Sequence, residues 1–400
     1  MRKKILDKSR ALAHIEKIHN IKSIEGADNI ELVHVLGWQC IAKKGEFKEN
    51  DWCVYIEIDS KVPSQLECFK FLENKGYKIK TMKLGKFNVI SQGIALPINI
   101  FNDCVKGFNK LKLTEGLDTT KILGIVKIEE EKELDEIQMS EEFKIGQLKI
   151  RHKKLFKSKF FNWLMRFKWF REIVLHKYKK QISTSRKWPS EISKTDETRC
   201  ENIPDIVNNY DKWIKTEKID GCSSTYFLKR TYKKNNPFEF IVCSRNQVQP
   251  IGGGIPCYYE MAYKYDIEKF LTNYLKTNID VSWVALQGEI LGPKIQGNKY
   301  KLDENNLYIF NFIDSKNGRY NSNNMVTILK GSKLNTVPIL EVSEIPHTME
   351  TLKKEAEGKS LINKNVDREG IVYRSLDGKQ SFKNVSNSYL LSKNKSKKEK

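Results

Sequence analysis

No stretch of the chain approaches the ~18 consecutive apolar residues that a membrane-spanning helix needs. The start, Met1-Arg2-Lys3-Lys4-Ile5-Leu6-Asp7, is basic but leads into no apolar h-region, so no secretion signal is expected. The eight cysteines, at positions 40, 53, 68, 104, 200, 222, 243 and 257, include no C-x-x-C pair. Their spacing fits neither a zinc knuckle nor a disulfide framework. Reduced thiols are expected, in a reducing compartment that is cytoplasmic or nuclear. The six histidines form no H-E-x-x-H cluster, which leaves zinc-hydrolase chemistry unsupported. Gly252-Gly253-Gly254 is not followed by G-K-[ST], so it predicts a flexible loop rather than a phosphate cradle. No internal repeat is visible.

Positive charge is what the chain has in excess. Its 400 residues hold 71 Lys and Arg against 50 Asp and Glu, a net charge of +21 with a pI near 9.4. Such a surplus suits a polyanionic partner, nucleic acid or an anionic membrane, and says nothing about fold. With 39% apolar and 30% charged residues and a mean hydropathy of −0.56, the composition is that of a soluble globular protein. The surplus is uneven. Lys127 to Phe143 holds eight acidic and two basic residues, whereas Arg151 to Lys180 holds eleven basic and one acidic. Within that basic stretch Phe156, Phe160, Trp163, Phe167 and Phe170 recur at helical spacing. This predicts one amphipathic helix packing an aromatic stripe on a domain, with its basic face solvated. Contact of the same face with a nucleic-acid backbone is compatible with that packing, and a membrane-surface helix is the alternative.

The remaining pattern divides the chain. Residues 1–120 read as a β-rich module. Val54, Ile56 and Ile58 alternate with Tyr55 and Glu57 as in a half-buried strand, Gly-containing turns recur, and 64–76 suits one short helix. Residues 121–182 form a charged linker with the basic aromatic helix. Residues 183–391 read as α+β, with strands at Ser224–Leu228, Phe240–Ser244, Val284–Leu291, Leu307–Ile313 and Gly370–Tyr373 and a helix at Ile267–Thr277. Residues 392–400 are Lys-rich without apolar residues and predict a disordered basic tail.

The chemistry-bearing residues are individually weak signals. Glu217-Lys218-Ile219-Asp220-Gly221 contains K-x-D-G, which chance produces in about every second chain of this composition. The pair [DE]-G occurs six times, so Glu369-Gly370 alone proves nothing. Order carries the weight. After Lys218 come Ser244-Arg245-Asn246, then Leu286-Gln287-Gly288-Glu289-Ile290. Tyr308-Ile309-Phe310-Asn311, Glu369-Gly370-Ile371-Val372-Tyr373-Arg374 and Ser381-Phe382-Lys383 follow. This series resembles motifs I, Ia, III, IIIa, IV and V of the covalent nucleotidyltransferases, the ATP-dependent ligases and mRNA capping enzymes. DNA ligases and capping enzymes carry a C-terminal OB domain, for which the chain after Lys383 is expected to be too short. Ile24-Glu25-Gly26-Ala27-Asp28-Asn29-Ile30, Lys44-Gly45-Glu46-Phe47, Tyr55-Ile56-Glu57-Ile58-Asp59-Ser60 and Ser91-Gln92-Gly93 look instead like the N-terminal OB domain of the Naegleria/Deinococcus-type RNA ligases. Thr195-Asp196-Glu197-Thr198-Arg199 and Gly292-Pro293-Lys294-Ile295-Gln296-Gly297-Asn298 are similar to that family too.

The resemblance implies an α+β protein: an N-terminal OB-fold β-barrel, then an adenylyltransferase domain built on antiparallel sheets with flanking helices. It implies an ATP-dependent RNA ligase that seals 3′-OH/5′-phosphate nicks through lysyl-AMP, in RNA repair. Lys218 is the expected nucleophile. A free lysine is neutral in only about one molecule in 10³ at pH 7, so a nearby cation is expected to lower its pKa. Asp220, Glu289 and Glu369 are the expected Mg²⁺ or Mn²⁺ carboxylates; Asp220 could also orient Lys218, and Glu289 could bind a ribose hydroxyl. Phe310 would stack on adenine, with Phe312 as competitor and a core role open for either. Glu217 would accept from the adenine amino group, Arg245 would contact ribose or phosphate, and Lys383 would neutralise the α-phosphate. Many relatives have K-x-K in motif V; here Ser381 and Lys383 leave one lysine. The expected partner is RNA or a nicked RNA-containing duplex, with no membrane and a monomeric state. The alternatives are a DNA ligase, a GTP-using capping enzyme, or a non-catalytic RNA-binding protein on a ligase fold.

Overall fold

The computed structural model describes residues 11–128, 145, 148, 152–178, 188–232, 237–249, 256–293 and 295–395. Gly252-Gly253-Gly254 and the acidic residues 129–142 lie outside these.

The N-terminal module is built on a four-stranded antiparallel sheet in the order Ile94–Pro97, Trp52–Ile56, Ala13–Lys17, Leu117–Asp118. A three-stranded meander, Asn20–Ser23, Ile30–Val35 and Trp38–Lys43, packs beside it. The expected helix at 64–76 is a nine-residue 3-10 helix, Glu67–Lys75, closed by Gly76 in the left-handed region (φ 60°). The strand at Trp52–Ile56 is not half-buried as its alternation suggested. Val54 and Ile56 join a core with Phe69, Phe101 and Phe108, while Cys53 and Tyr55 join another with Val33, Val35 and Trp38. Both faces are covered because the meander lies over one and the helical turns over the other. The second core also takes in Val385, Tyr389 and Leu390 from the far end of the chain, so the module is docked rather than tethered.

The C-terminal part contains two sheets. One is five-stranded, in the order Thr198–Arg199, Ser381–Val385, Gly370–Ser375, Trp213–Lys218, Ile339–Ser343. The other runs Phe238–Cys243, Cys222–Arg230, Trp283–Leu291, Asn306–Asp314, Gly318–Arg319. The helices Pro256–Lys264 and Ile267–Thr277 cover the second sheet, and Met261, Ile267, Leu271 and Leu275 are packed against Tyr226, Leu228 and Leu286. The architecture is α+β with antiparallel pairing dominant, as expected.

Two expectations are corrected. The aromatic segment is not one helix but three short ones, Lys153–Phe156, Lys159–Leu164 and Lys168–Lys177. Ser158 breaks the run because its Oγ caps the second helix by accepting from the Phe161 N–H at 3.3 Å. Among the described residues the stripe does not pack on a domain; its Phe156 and Phe170 turn inward with Phe161 onto a cluster drawn from positions 145–178. The first residues of the expected tail, 392–395, are helical, and 396–400 lie outside the described residues. A helix spans Asn387–Lys395, held at its start by Glu357, whose Oε1 accepts from the Asn387 N–H at 2.8 Å. Among the described residues no helix is long and apolar enough to cross a membrane.

Candidate active site

Lys218 ends the strand Trp213–Lys218, and the chain then crosses through Ile219, Asp220 and Gly221 into Cys222–Arg230 of the other sheet. The site forms at this crossing. Lys218 pairs with Gly370 across the ladder, which brings the preceding residue, Glu369, alongside. Lys218 Nζ lies 2.7 Å from Glu369 Oε2, and the lysine side chain is 25% exposed, open enough for a substrate to reach. Glu289 comes from the second sheet, and its Oε1 accepts from the Gly221 N–H at 3.2 Å. The Asp220 N–H donates to the Tyr300 hydroxyl at 2.9 Å. Both glycines are demanded by close approach. A Cβ on Gly221 would lie 2.3 Å from the Ile290 carbonyl oxygen, and one on Gly370 would lie 2.1 Å from that of Asn384. The [DE]-G pairs thus let two strands close tightly beside an acid.

The electrostatics follow from this convergence. Burial pushes the Glu289 carboxyl up to about 8, reinforced by Glu369 and Asp220 and opposed by Lys218 and Arg245. Burial would lower the Lys218 pKa, but Glu369, Glu289 and Asp220 outweigh it and hold the amine above its ordinary value. The expected lowering calls for a metal ion or basic neighbours, whereas the side chains that act most strongly on the amine here are acids. Among the described residues no three or more His, Cys, Asp or Glu side chains close into a ready-made metal cage. Mg²⁺ and Mn²⁺ do not require one, since they keep waters and take one or two carboxylates plus substrate phosphates. Asp220, Glu289 and Glu369 act on Lys218, with Lys299 acting on Asp220 and Glu369 and Arg245 on Glu289; three carboxylates are oxygen donors of the kind a hard divalent cation takes.

A second cluster centres on Asp196, which the sequence marked only as part of a family-like segment. Asp196 Oδ1 lies 2.6 Å from Lys383 Nζ, and Oδ2 lies 3.5 Å from Lys127 Nζ and 3.7 Å from Arg245 Nη2. Burial alone would raise its carboxyl, but Lys383, Lys127 and Arg245 hold it well below the usual range. Arg245 acts on Glu289 as well, and so joins the two clusters. Ser381, where a second lysine would complete K-x-K, donates its hydroxyl to Glu197. That carboxylate is also met by Arg319 at 3.3 Å and Arg374 at 3.7 Å. Two arginines therefore bring cations to the position where the lysine is missing. Spacing could not have found Asp196 or Lys127, which reach Lys383 only through the fold.

Glu217 precedes Lys218 and points to the opposite face of the strand. Its Oε2 accepts from the Leu361 N–H at 2.7 Å, and its Oε1 is buried without a partner. The next residue, Ile362, shares an apolar cluster with Phe310, Val337, Leu291 and Ile219. Phe310 stands at a bulge, where the pairing of Asn306–Asp314 with Trp283–Leu291 skips it, and its carbonyl accepts from Arg374 Nη1 at 2.8 Å. Phe312 is wholly buried between Tyr274 and Tyr320 and belongs to the core. Of the two, Phe310 is the one left near Glu217.

A family model described as RNA ligase matches residues 211–386, and one described as an OB-fold domain matches residues 12–98. No curated protein matches the chain. Among solved structures, a Naegleria gruberi RNA ligase variant with AMP and Mn is 31% identical, with a TM-score of 0.70 and coverage of 95% of this chain and 98% of that one. The Naegleria gruberi RNA ligase with PPi is 30% identical, with a TM-score of 0.71 over 97% of this chain and 100% of that one. Another variant of the same enzyme, with ATP and Mn, is 30% identical, with a TM-score of 0.69 over 95% and 98%.

Proposed function

The chain belongs to the RNA ligase family, and on that premise we propose that it joins a 3′-OH to a 5′-phosphate through an enzyme-bound AMP. It is an ATP-dependent RNA ligase that uses a divalent metal. In the first step Lys218 Nζ, deprotonated, attacks the α-phosphorus of ATP. The P–N bond forms, the bond to the β-phosphate oxygen breaks, and pyrophosphate leaves. A 5′-phosphate oxygen of the RNA then displaces Lys218, giving an AMP-capped end. Finally the 3′-OH attacks that 5′-phosphorus, the phosphodiester forms and AMP leaves. Positioning and charge neutralisation do most of the catalysis in such transfers.

The observation that carries this reading is Lys218 Nζ held 2.7 Å from Glu369 Oε2, with Glu289 and Asp220 acting on the same amine. These acids keep Lys218 protonated until positive charge offsets them. Asp220, Glu289 and Glu369 would hold Mg²⁺ or Mn²⁺, which supplies that charge and neutralises the leaving pyrophosphate. Lys383 and Arg245, steadied by Asp196, would meet the phosphates. Glu217 Oε1 would accept from the adenine amine beside Phe310. Action at nicks, with RNA on the 3′-OH side, and a role in RNA repair are read from the same family.

The test is labelling with α-labelled ATP or GTP in Mg²⁺ or Mn²⁺, followed by sealing of 5′-phosphorylated nicks with ribose or deoxyribose at the 3′-OH. Wild type should take acid-labile label from ATP and seal the ribose nick, and Lys218→Ala should do neither. Sealing by that variant would sink the mechanism, and label from GTP would favour a capping enzyme.

A further inference from the structure

The helical segment at 152–178 is left unused by the ligation chemistry. Among the described residues its buried cluster is drawn only from positions 145–178, where Leu148, Met165 and Val174 are covered by Phe156, Phe161 and Phe170. A second set of aromatic side chains is turned away from that cluster. Phe160 is 69% exposed, Trp163 51%, Phe167 40% and Trp169 57%. Phe160 and Trp163 lie near-parallel, 6.0 Å apart between centroids, and Trp163 meets Phe167 edge-on at 5.1 Å. These three rings form one continuous exposed surface running from the helix Lys159–Leu164 to the start of the next. Exposed apolar patches on soluble proteins mark interaction sites. Exposed Lys157, Lys159, Arg166 and Lys168 are interleaved with these rings in the sequence, and Glu172 is the one acidic residue between 151 and 180.

We propose that the Phe160–Trp163–Phe167 face binds a single-stranded segment of the RNA substrate. Bases stack on the rings, and Lys157, Lys159, Arg166 and Lys168 hold the phosphates. The inference rests on the RNA ligase reading. Ring faces set among cations are the two features that a flexible polyanion with planar bases needs, and neither demands a particular sequence. RNA fits better than a lipid surface. A helix lying in a membrane presents one unbroken apolar face, whereas here Phe161, Met165, Phe170 and Val174 are spent on the segment's own core. What remains outward is a row of rings, with Ile173 also exposed, along a segment whose Lys157, Lys159, Arg166 and Lys168 are exposed as well. Such a clamp would keep a broken strand on the enzyme while its ends are joined at Lys218.

The experiment measures binding of a fluorescent single-stranded RNA of about 20 nucleotides, long enough to stack on several rings and to place several phosphates among the cations. It compares wild type, a Phe160→Ala/Trp163→Ala variant, and a Lys157→Gln/Lys159→Gln/Arg166→Gln/Lys168→Gln variant. Adenylylation of Lys218, which needs no RNA, is followed on the same samples and reports that the variants are folded. The aromatic variant should weaken binding by about tenfold for each ring removed. The charge variant should flatten the plot of log affinity against log salt by about 0.7 for each phosphate that is no longer neutralised. Unchanged RNA affinity in both variants would overturn the proposal. So would phosphatidylserine vesicles whose binding depends on these residues while RNA binding does not. Wild type that binds RNA through this face but takes no label from ATP would sink the ligase reading and leave this surface standing.

Discussion

Glu217 places two oxygens in different situations, one bonded to the Leu361 N–H and one buried without a donor. An unsatisfied buried acceptor costs about 1–3 kcal/mol, and a charged hydrogen bond from a ligand amine recovers that loss. Glu217→Gln can keep the Leu361 bond through its amide oxygen, but it then turns an NH₂ group toward the adenine amine, donor against donor. The KM for ATP in Lys218 labelling should rise about tenfold or more, since the charged hydrogen bond is worth about 1.5–3 kcal/mol. The thermal midpoint should stay level or rise, because a buried charge is removed. A variant with unchanged KM would return Glu217 to a structural role at Leu361. Asp196 works differently. With three cations around it, its part is to fix Lys383 and Arg245 in place, and it touches no reacting atom in the proposed scheme.

At the scale of elements, the strand Asn306–Asp314 shows how a bulge separates two neighbouring aromatics. A regular strand would put Phe310 and Phe312 on one face. Because the pairing skips Phe310, Phe312 enters the core between Tyr274 and Tyr320, while Phe310 stays half-buried beside Ile362 and Val337. Phe312→Ala should therefore lose about 3–5 kcal/mol of unfolding free energy. Phe310→Ala should change stability little and raise the KM for ATP, as loss of a stacking ring would. Denaturant titration and ATP-dependent labelling of both variants decide it, and the reverse pattern would exchange their roles. The sequence alone left these two open, since alternation carries no mark of a skipped residue. Where a period of 2 or 3.6 ran undisturbed, it was legible. The helix Ile267–Thr277 has its expected bounds, and the strands around Glu289 and Phe310 extend the predicted runs by a residue or two. The site was legible as an order of motifs, Lys218 to Lys383. Its depth was not, because Asp196, Lys127 and Tyr300 enter it from loops and strands whose spacing says nothing. The aromatic stripe failed for a local reason, since Ser158 gains more as a cap than as a helix interior residue.

For the whole molecule, the joint between the two halves is polar as well as apolar. Trp38 Nε1 donates to Asn202 Oδ1 at 2.6 Å, and Asn202 Nδ2 donates to Glu57 Oε1 at 2.6 Å. Arg199 reaches across to Asp59 at 3.1 Å. Behind Glu57 sits His14, buried, with Nδ1 3.0 Å from Glu16 and Nε2 3.5 Å from Glu57. Burial would lower the imidazole pKa, but hydrogen bonds and charge from Glu16 and Glu57 raise it from 6.5 to about 9. A pKa raised by folding means that the native state binds the proton more tightly than the unfolded chain. The resulting stability is fully present below pH 6.5, and it is lost as pH climbs through 9. The difference amounts to roughly 3 kcal/mol at most, at about 1.4 kcal/mol for each pKa unit. Wild type should thus lose stability between pH 6 and pH 9 relative to His14→Gln, whose amide carries no proton to lose. Urea unfolding of both proteins at the two pH values measures the difference. If the gap between them stays constant, folding leaves the His14 pKa where it stands in the unfolded chain, and the joint is held by Asn202 and Arg199 without help from a charged imidazole.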